Sequence, residues 1–325
     1  MSKLAGRPRA ARSVRLIICA LAFGPGVHPL ASSSAVAAAA LAPAGARPYA
    51  LVLGIAQDGG IPQAGCRKSC CTSGRHERVA SLGLVDPERR RWWLIDATPD
   101  FPAQLALVAE AAPACSLAGI FLTHAHIGHY TGLMHLGREA MGAHGMPVWA
   151  MPRMRAFLAG NGPWGQLVTL HNIELRPLTA DSTVSLGDSL AVTPFLVPHR
   201  DEYSETVGFR VTGPRGTIVW LPDIDKWERW ERRIEDVIDG AGAAYLDGTF
   251  FDTTELPGRD IREIPHPFIV ESLARFAALP AATRARVRFV HLNHTNRAGI
   301  AGTAERRRVE AAGFRVARSG ERVPL

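Results

Sequence analysis

Residues 117–129 read LAGIFLTHAHIGH, and this stretch decides the fold. Its first seven residues form a short apolar run with branched and aromatic side chains, which is typical of a buried strand. His124, His126 and His129 follow at once. Neutral imidazole is the commonest metal ligand in proteins. Three imidazoles within six residues at the end of a strand therefore indicate a metal site rather than three separate core or surface histidines.

Several apolar segments along the chain, including this one, end in residues of metal-binding types. These residues are Asp96, His124, His199, Asp223 and His291, with Asp247 as a sixth candidate. In layered folds of sheets and helices, strand ends gather on one rim, where sites collect. We therefore expect a single domain over 48–325 in which these side chains meet. The pattern also predicts a strand over 168–178 and helices starting near His129 and covering 226–238 and 267–279.

The net charge of +7 at pH 7 does not indicate a nucleic-acid partner. Five basic residues lie within the first fifteen positions, namely Lys3, Arg7, Arg9, Arg12 and Arg15. Without those five the net charge falls from +7 to +2. The remainder of the chain is close to neutral, so a basic face that follows a phosphate backbone is not expected.

The first forty residues have the layout of a secretory signal followed by a spacer of small residues. The basic start precedes the apolar run LIICALAF at 16–23, and a stretch rich in Ala and Ser comes next. Ala35-Val36-Ala37 fits the small-x-small cleavage pattern, so we expect a cut after Ala37 and a periplasmic or secreted protein. The apolar run is too short to span a bilayer, so no stable membrane anchor is expected. A disordered or wrongly assigned N-terminal extension is the alternative.

The segment THAHIGH resembles the HxHxDH signature of the metallo-β-lactamase superfamily, and the resemblance covers roughly residues 50–300. It implies an α/β fold, the four-layer αββα sandwich. Carried over position by position, it implies one metal at His124, His126 and His199, a second at His129 and His291, and Asp223 bridging the two. It also implies catalytic roles for Asp223 and His291. Asp96 and Asp247 are candidates to orient the imidazoles by hydrogen bonding.

One position departs from that signature, because Gly128 stands where the family has an Asp that binds the second metal. The second group then keeps two imidazoles and one carboxylate, the set that open non-haem iron sites use. A weak second metal, a single metal and a redox metal are all open, and so is a vestigial site. Asp247, Asp201 or Glu202 could supply the missing oxygen.

The segment GGIPQAGCRKSCC at 59–71 resembles the N-terminal loop of two branches of the superfamily. One branch is coenzyme PQQ synthesis protein B, and the other is the cyclic phosphodiesterase of phosphonate breakdown. The resemblance implies a structural zinc, with the ligands Cys66, Cys70, Cys71 and His294, and with His266 in reserve. A disulfide between Cys66 and Cys71 is the competing hypothesis, since export makes disulfides possible.

The resemblance to the PQQ branch extends to LDGTF at 246–250, IPHP at 264–267 and HLNHTN at 291–296. Members of that branch often lack the first histidines of HxHxDH and keep its Asp, whereas this chain does the reverse. We therefore expect a metal-dependent hydrolase that acts on an ester, lactone or phosphodiester of small size.

The alternatives are an iron-dependent oxygenase like the PQQ branch and a non-catalytic carrier of a small molecule. The cofactors expected are one or two divalent metals (Zn, Mn or Fe) at the active site, besides the structural zinc. Trp164 is a candidate to line the substrate mouth. The oligomeric state is open.

Overall fold

Two seven-stranded sheets form the body of the protein in the computed structural model, which describes residues 47–325. The strands are β1 (Tyr49–Gly54), β2 (Ser81–Asp86), β3 (Arg91–Ile95), β4 (Ser116–Phe121), β5 (Met146–Ala150), β6 (Ile173–Pro177), β7 (Val184–Ser185), β8 (Ala191–Leu196), β9 (Val207–Gly213), β10 (Gly216–Leu221), β11 (Ala243–Asp247), β12 (Val287–Val290), β13 (Arg315–Val316) and β14 (Arg322–Pro324). The first sheet has the order β14-β1-β2-β3-β4-β5-β6, and the second has the order β13-β12-β11-β10-β9-β8-β7. The predicted signal segment and its cleavage site lie outside the described residues.

The α-helices are short and connect the strands. They are α1 (Ser69–Thr72), α2 (Phe101–Ala111), α3 (Ile127–Tyr130), α4 (Pro152–Gly160), α5 (Trp164–Thr169), α6 (Ile234–Ile238), α7 (Ile269–Arg275), α8 (Ala281–Arg284) and α9 (Ala304–Ala311). Within residues 47–325, none of them has the length and apolar character needed to cross a bilayer.

Alternation along β3 shows how the first sheet is covered on both faces. Trp93 and Ile95 pack into the core between the two sheets, while Trp92 and Leu94 pack on the opposite face against α2 and α4. Successive side chains of a strand point to opposite faces, so a strand that is apolar at every position is buried on both.

The second sheet is covered in the same way. Leu273 of α7 and Val309 of α9 belong to the same core as Phe289 of β12. Between the sheets, the rings of Phe121 and Phe209 meet edge to face with centroids 5.9 Å apart. The resulting order is helices, sheet, sheet, helices, which confirms the predicted αββα sandwich.

Several boundaries differ from the sequence-based expectations. The helix predicted from His129 is one turn, α3, followed by a 3-10 helix over Thr131–Leu136. The strand predicted over 168–178 begins only at Ile173, after α5. The polar helix predicted over 226–238 is divided into a 3-10 helix (Trp227–Arg229) and α6, and the helix predicted over 267–279 is shortened to α7. Short helices gain most of their stability from packing, so apolar spacing alone does not fix where such a helix begins or ends.

Strand direction places the candidate site on one rim. β3 to β6 run parallel, and β1 points the same way because two antiparallel pairings separate it from β3. In the second sheet β10 to β13 run parallel, and β8 shares their direction for the same reason. The carboxyl ends of β1, β3 and β4 thus lie at one edge of the first sheet, and those of β8, β10, β11 and β12 at one edge of the second.

Candidate metal centre

Three imidazoles form the first group of the site. His124 and His126 follow β4, and His199 follows β8 in the other sheet. Nε2 of His124 lies 2.8 Å from Nδ1 of His126, and the His199 ring lies 5.4 Å and 5.0 Å from the rings of His124 and His126. One ligand nitrogen from each falls within 4.8 Å of the others. The three predicted ligands of the first metal are therefore together.

A second group contains two imidazoles and two carboxylates, namely Asp58, His129, Asp223 and His291. Nε2 of His129 lies 3.2 Å from Oδ1 of Asp58 and 3.0 Å from Oδ2 of Asp223. Nε2 of His291 lies 3.7 Å from Oδ1 of Asp58 and 3.1 Å from Oδ2 of Asp223. Asp58, which follows β1, was not among the residues picked out from the sequence.

Asp223 lies between the two groups. Its Oδ2 faces His129 and His291 and is also 3.7 Å from Nε2 of His124. Its Oδ1 lies 3.5 Å from Nε2 of His199. The residue is 2% exposed. One carboxylate thus points one oxygen toward each group, as the predicted bridging role requires.

Each buried imidazole has a polar neighbour on its other nitrogen. Oδ2 of Asp96 accepts a hydrogen bond from Nδ1 of His129 at 2.8 Å. The Thr123 hydroxyl donates to Asp96 and accepts from Nδ1 of His124 at 3.0 Å. With Nδ1 engaged in this way, Nε2 is the nitrogen that is directed toward the site and can bind a metal. Asp96 therefore orients two histidines, one directly and one through Thr123.

The second sheet repeats this arrangement. The Thr249 hydroxyl donates to Oδ1 of Asp247 at 2.7 Å and lies 3.0 Å from Nδ1 of His291. Oδ1 of Asp225 lies 3.3 Å from Nδ1 of His199. Asp247 thus has the orienting role that the sequence suggested, acting through Thr249, whereas the part of Asp225 was missed.

Two site residues have left-handed backbone conformations. Asp96 has φ of 66° and His291 has φ of 63°. Non-glycine residues rarely adopt this region, and where they do the position often has a functional role. Both residues immediately follow a strand, so the turn of the backbone there directs the side chain into the rim.

The donor set fits a metal. Buried atoms without a hydrogen-bond partner within residues 47–325 include Oδ1 of Asp58, Oδ2 of Asp223, and Nε2 of His129, His199 and His291. Buried polar atoms are nearly always satisfied, so a cluster of unsatisfied ones facing each other requires a shared partner. Imidazole nitrogens and carboxylate oxygens are ligands of Zn, Mn and Fe. The side chains therefore form groups that can hold divalent metal.

The surroundings shift the histidine pKa values in opposite directions in the two groups. Burial lowers the pKa of His124 well below its usual value and lowers that of His126 to about 4. Burial also opposes the charged form of His129, but Asp96, Asp223 and Asp58 outweigh it and raise its pKa well above the usual value. Both carboxylates of the second group have pKa values held well below normal despite burial, Asp58 by His129 and His291, Asp223 by His291 first.

These shifts predict that metal uptake by the second group depends on pH. A metal must displace the proton from His129, so its affinity should rise about tenfold per pH unit below the pKa of that residue. Zinc titration by calorimetry from pH 6 to pH 8 measures this, in a His126→Ala variant that weakens the first group. Buffers of different ionisation enthalpy count the proton released. An affinity that stays flat over this range contradicts the assignment.

The carboxylates suggested from the sequence as substitutes for the missing Asp do not join the second group. Asp201 pairs with Arg153 at the surface, 3.0 Å away. Asp247 is engaged with Thr249 and His266. Glu202 reaches Nε2 of His126 instead, at 3.4 Å. These suggestions were wrong because proximity in sequence to a ligand does not decide which way a side chain turns at the rim.

His266 lies at the metal centre and not at the cysteines, so its reserve role there was wrong. Its Nδ1 lies 2.7 Å from Oδ2 of Asp247 and 3.6 Å from Oδ1 of Asp223. Burial lowers its pKa, but the two nearby carboxylates prevail and raise it to about 9. His266 borders the first group, with its ring centroid 5.3 Å from that of His199, and it forms a further possible ligand group with His199 and Asp223.

The cysteine cluster is assembled as predicted. The Sγ atoms of Cys70 and Cys71 each lie 3.4 Å from Nδ1 of His294 and 4.0 Å from each other, and Cys66 completes the group. All three thiols are free. Tetrahedral zinc with Zn–S bonds of about 2.3 Å separates its sulfur ligands by about 3.8 Å, so the spacing suits a metal.

Trp164 belongs to an aromatic cluster beside the metal centre. Its ring lies 4.9 Å from that of Tyr130, which follows His129, and 6.1 Å from that of Phe157. Tyr203, beside Glu202, packs on Phe157 at 5.3 Å and is 62% exposed. A role for Trp164 at a substrate mouth stays a prediction.

Two packed mixed sheets with a rim of histidines and aspartates define a metallo-β-lactamase fold. The chain belongs to the beta-lactamase superfamily: the model described as "Beta-lactamase superfamily domain" matches residues 91–292. The resemblance found in the sequence is thereby confirmed at the level of the superfamily.

Curated relatives support the branch as well. Coenzyme PQQ synthesis protein B of Ruegeria pomeroyi is 27% identical over 305 residues, covering 85% of this chain and 99% of the relative. The protein of the same name from Methylorubrum extorquens is 27% identical, with 84% and 98% covered. The chain therefore resembles this branch along nearly the whole length of the relatives.

Solved structures agree with these matches. Zn(2+)-bound PqqB from Methylobacterium extorquens superposes with a TM-score of 0.71 at 25% identity, covering 85% of this chain and 100% of that one. A diphosphatase from the PhnP family has a TM-score of 0.60 at 20% identity, covering 86% and 98%, and so shares the fold.

Proposed function

We propose that this protein is a metal-dependent hydrolase that acts on an ester, lactone or phosphodiester of a small molecule. The observation that carries the proposal is the position of Asp223, with one oxygen toward His129 and His291 and the other toward His199. Two adjacent metal groups that share a carboxylate are the arrangement that hydrolytic two-metal sites use.

The first group would be held by His124, His126 and His199, and the second by Asp58, His129, Asp223 and His291. Metals bound there would acidify water and withdraw charge from the substrate's reacting centre. Asp96 and Thr123 in one sheet, and Asp247 and Thr249 in the other, would hold the imidazoles with Nε2 directed toward the site. His266 would present a hydrogen-bond donor next to His199, where it can meet negative charge on a substrate.

The cysteine group is proposed to hold a structural zinc, since three thiols and one imidazole with no open position form a closed tetrahedral set. Export to the periplasm or beyond, through a cleaved N-terminal signal, is also proposed. Neither nucleic acid nor a membrane anchor is part of this proposal.

A second candidate is a part in the synthesis of coenzyme PQQ, for which the relatives are named, with this chain acting as an iron-dependent oxygenase. The extent of the match to those relatives favours it. Two imidazoles with carboxylates also suit non-haem iron. Iron in the histidine groups, with oxygen uptake on phenolic substrates, would support this candidate over the hydrolase.

Metal content and hydrolysis together test the first proposal. Protein purified without added metal is expected to contain zinc or manganese beyond the one metal of the cysteine group, and to hydrolyse bis(p-nitrophenyl) phosphate or p-nitrophenyl acetate. His124→Ala should lower that activity by at least about a hundredfold, in line with the loss of a direct ligand. His144→Ala is the matched control, since His144 is exposed and outside all the metal groups. Equal activity of the two variants would refute the proposal.

A further inference from the structure

Gly128 and Asp58 occupy the same place at the rim. A Cβ atom built on Gly128 would lie 2.2 Å from Oδ1 of Asp58 and 2.6 Å from its Cα. Real Cβ contacts are never this short, and the Cα is part of the backbone, so a side chain at 128 cannot coexist with Asp58 in its present position. Position 128 is glycine because Asp58 fills the volume where the motif's carboxylate would project.

Asp58 also reaches what that carboxylate would reach. Its Oδ1 is 3.2 Å from Nε2 of His129 and 3.7 Å from Nε2 of His291. The side chain keeps 23% exposure, yet this oxygen is buried and lacks a hydrogen-bond partner within residues 47–325. An unpaired buried carboxylate oxygen that faces two imidazole nitrogens is an arrangement that a cation resolves.

The backbone holds Asp58 firmly in this orientation. The amide of Gln57, the residue before Asp58, donates a hydrogen bond to the carbonyl of Leu292 at 2.9 Å. Leu292 is the residue after His291. The amide of Gly60 closes a turn onto the Gln57 carbonyl at 2.8 Å, and Ile61 exchanges two hydrogen bonds with Glu77. Asp58 is therefore fixed on both sides and is not a mobile surface acid.

We propose that Asp58 is the missing carboxylate ligand of the second metal, transferred from the loop after β4 to the loop after β1. The second group is then complete, with Asp58, His129, Asp223 and His291, and it is not the weakened site that Gly128 alone suggests. The inference requires metal at this group, as the proposed function does, but it does not require hydrolysis.

The position of Asp58 links the second metal group to the cysteine loop. Asp58 precedes Cys66 by eight residues, on the loop that leads to the cysteine group, while His291 and His294 lie on one turn. A ligand on the loop after β4 would be independent of the cysteines. A ligand at Asp58 makes occupancy of the second group sensitive to order in the cysteine loop.

An exchange of the two residues tests the proposal through metal binding. Asp58→Ala is expected to lose one metal per chain after dialysis and to bind zinc at the second group at least about a hundredfold more weakly. Gly128→Asp alone should also lose affinity, because its side chain overlaps Asp58. The double variant Asp58→Gly with Gly128→Asp returns a carboxylate to the motif position and should recover affinity to within about tenfold of the original chain.

Asp58→Asn, which keeps the size of the side chain, serves if the Ala variant does not fold. Asp239→Ala is the matched control, since Asp239 is exposed and outside the metal groups. Elemental analysis and zinc calorimetry give the readout, and thermal unfolding verifies that each variant is folded. A folded Asp58→Ala or Asp58→Asn protein with unchanged metal count and affinity overturns the proposal. So does an increase in affinity on Gly128→Asp alone. Because no activity is measured, a protein that binds two metals without hydrolysing either ester would leave this inference standing while the proposed function fails.

Discussion

Asp223→Ala is expected to empty both histidine groups and to reduce hydrolysis by about a thousandfold or more. This residue points Oδ2 toward His129 and His291 and Oδ1 toward His199, at distances between 3.0 and 3.5 Å. Asp223 is 2% exposed, and imidazoles surround its carboxylate. Burial raises the pKa of this carboxyl, but the imidazoles, His291 first, hold it well below normal. Without the Asp223 carboxylate, the two metal cations would face one another and lose an anion that they share.

Elemental analysis and kcat/KM on bis(p-nitrophenyl) phosphate measure the two effects. Asp223→Asn separates charge from shape, since the amide keeps the volume and should still lose most of the metal. Asp239→Ala controls for loss of an exposed carboxylate. If Asp223→Ala keeps both metals with normal affinity, Asp223 is not a bridging ligand and the proposed function loses its main support.

His294→Ala is expected to release the metal of the cysteine group and to destabilise the protein by about 3 kcal/mol or more, comparable with the loss of a structural cross-link. For a domain of this size that corresponds to a decrease in Tm of roughly 5 °C or more. Nδ1 of His294 is 3.4 Å from the Sγ atoms of both Cys70 and Cys71, so it joins the loop at 57–71 to the turn after β12. Without it, the three clustered thiols lose the one ligand that the turn after β12 supplies to their group.

Thermal unfolding, metal content and titration of reactive thiols measure this effect. Cys71→Ser should act in the same direction. Cys115→Ser is the matched control, because Cys115 is outside the cluster, with its Sγ 4.0 Å from the carbonyl oxygen of Asp86. A disulfide would give the opposite pattern: a reducing agent would destabilise the original chain, and His294→Ala would have little effect. That outcome would restore the disulfide hypothesis for Cys66 and Cys71.

Much of the site was accessible from the sequence because its ligands follow strands. His124, His126 and His129 directly follow an apolar run, and Asp223 and His291 end two others. The rule that strand ends share a rim was sufficient to bring them together. Asp58 obeys the same rule, since it follows β1, but its loop is rich in Gly and Cys, which drew attention to the cysteines instead. The signal that could have found it was the coincidence of a missing Asp at 128 and a spare Asp after the first strand.

The residues that orient the histidines were likewise predicted only in part from the sequence. Asp96 and Asp247 were picked out as strand-terminal carboxylates, and both orient histidines. Thr123 and Thr249 were not, because a hydroxyl has no periodic pattern and acquires its role only when a histidine and a carboxylate lie on either side of it. Asp225 was missed because it lies two residues beyond a stronger candidate.

The sequence by itself determined the superfamily through the resemblance of THAHIGH to its signature, and that resemblance implied the αββα order of layers and six candidate ligand positions, because a motif and its spacing are local properties of the chain. Only the tertiary structure decided that Asp58 faces His129 across the space left by Gly128, and that His266 lies beside His199 and not at the cysteines. Those facts depend on contacts between residues about 70 positions apart in the chain, as between Asp58 and His129 or His199 and His266. Such contacts are fixed by the packing of two sheets and not by any pattern along one of them.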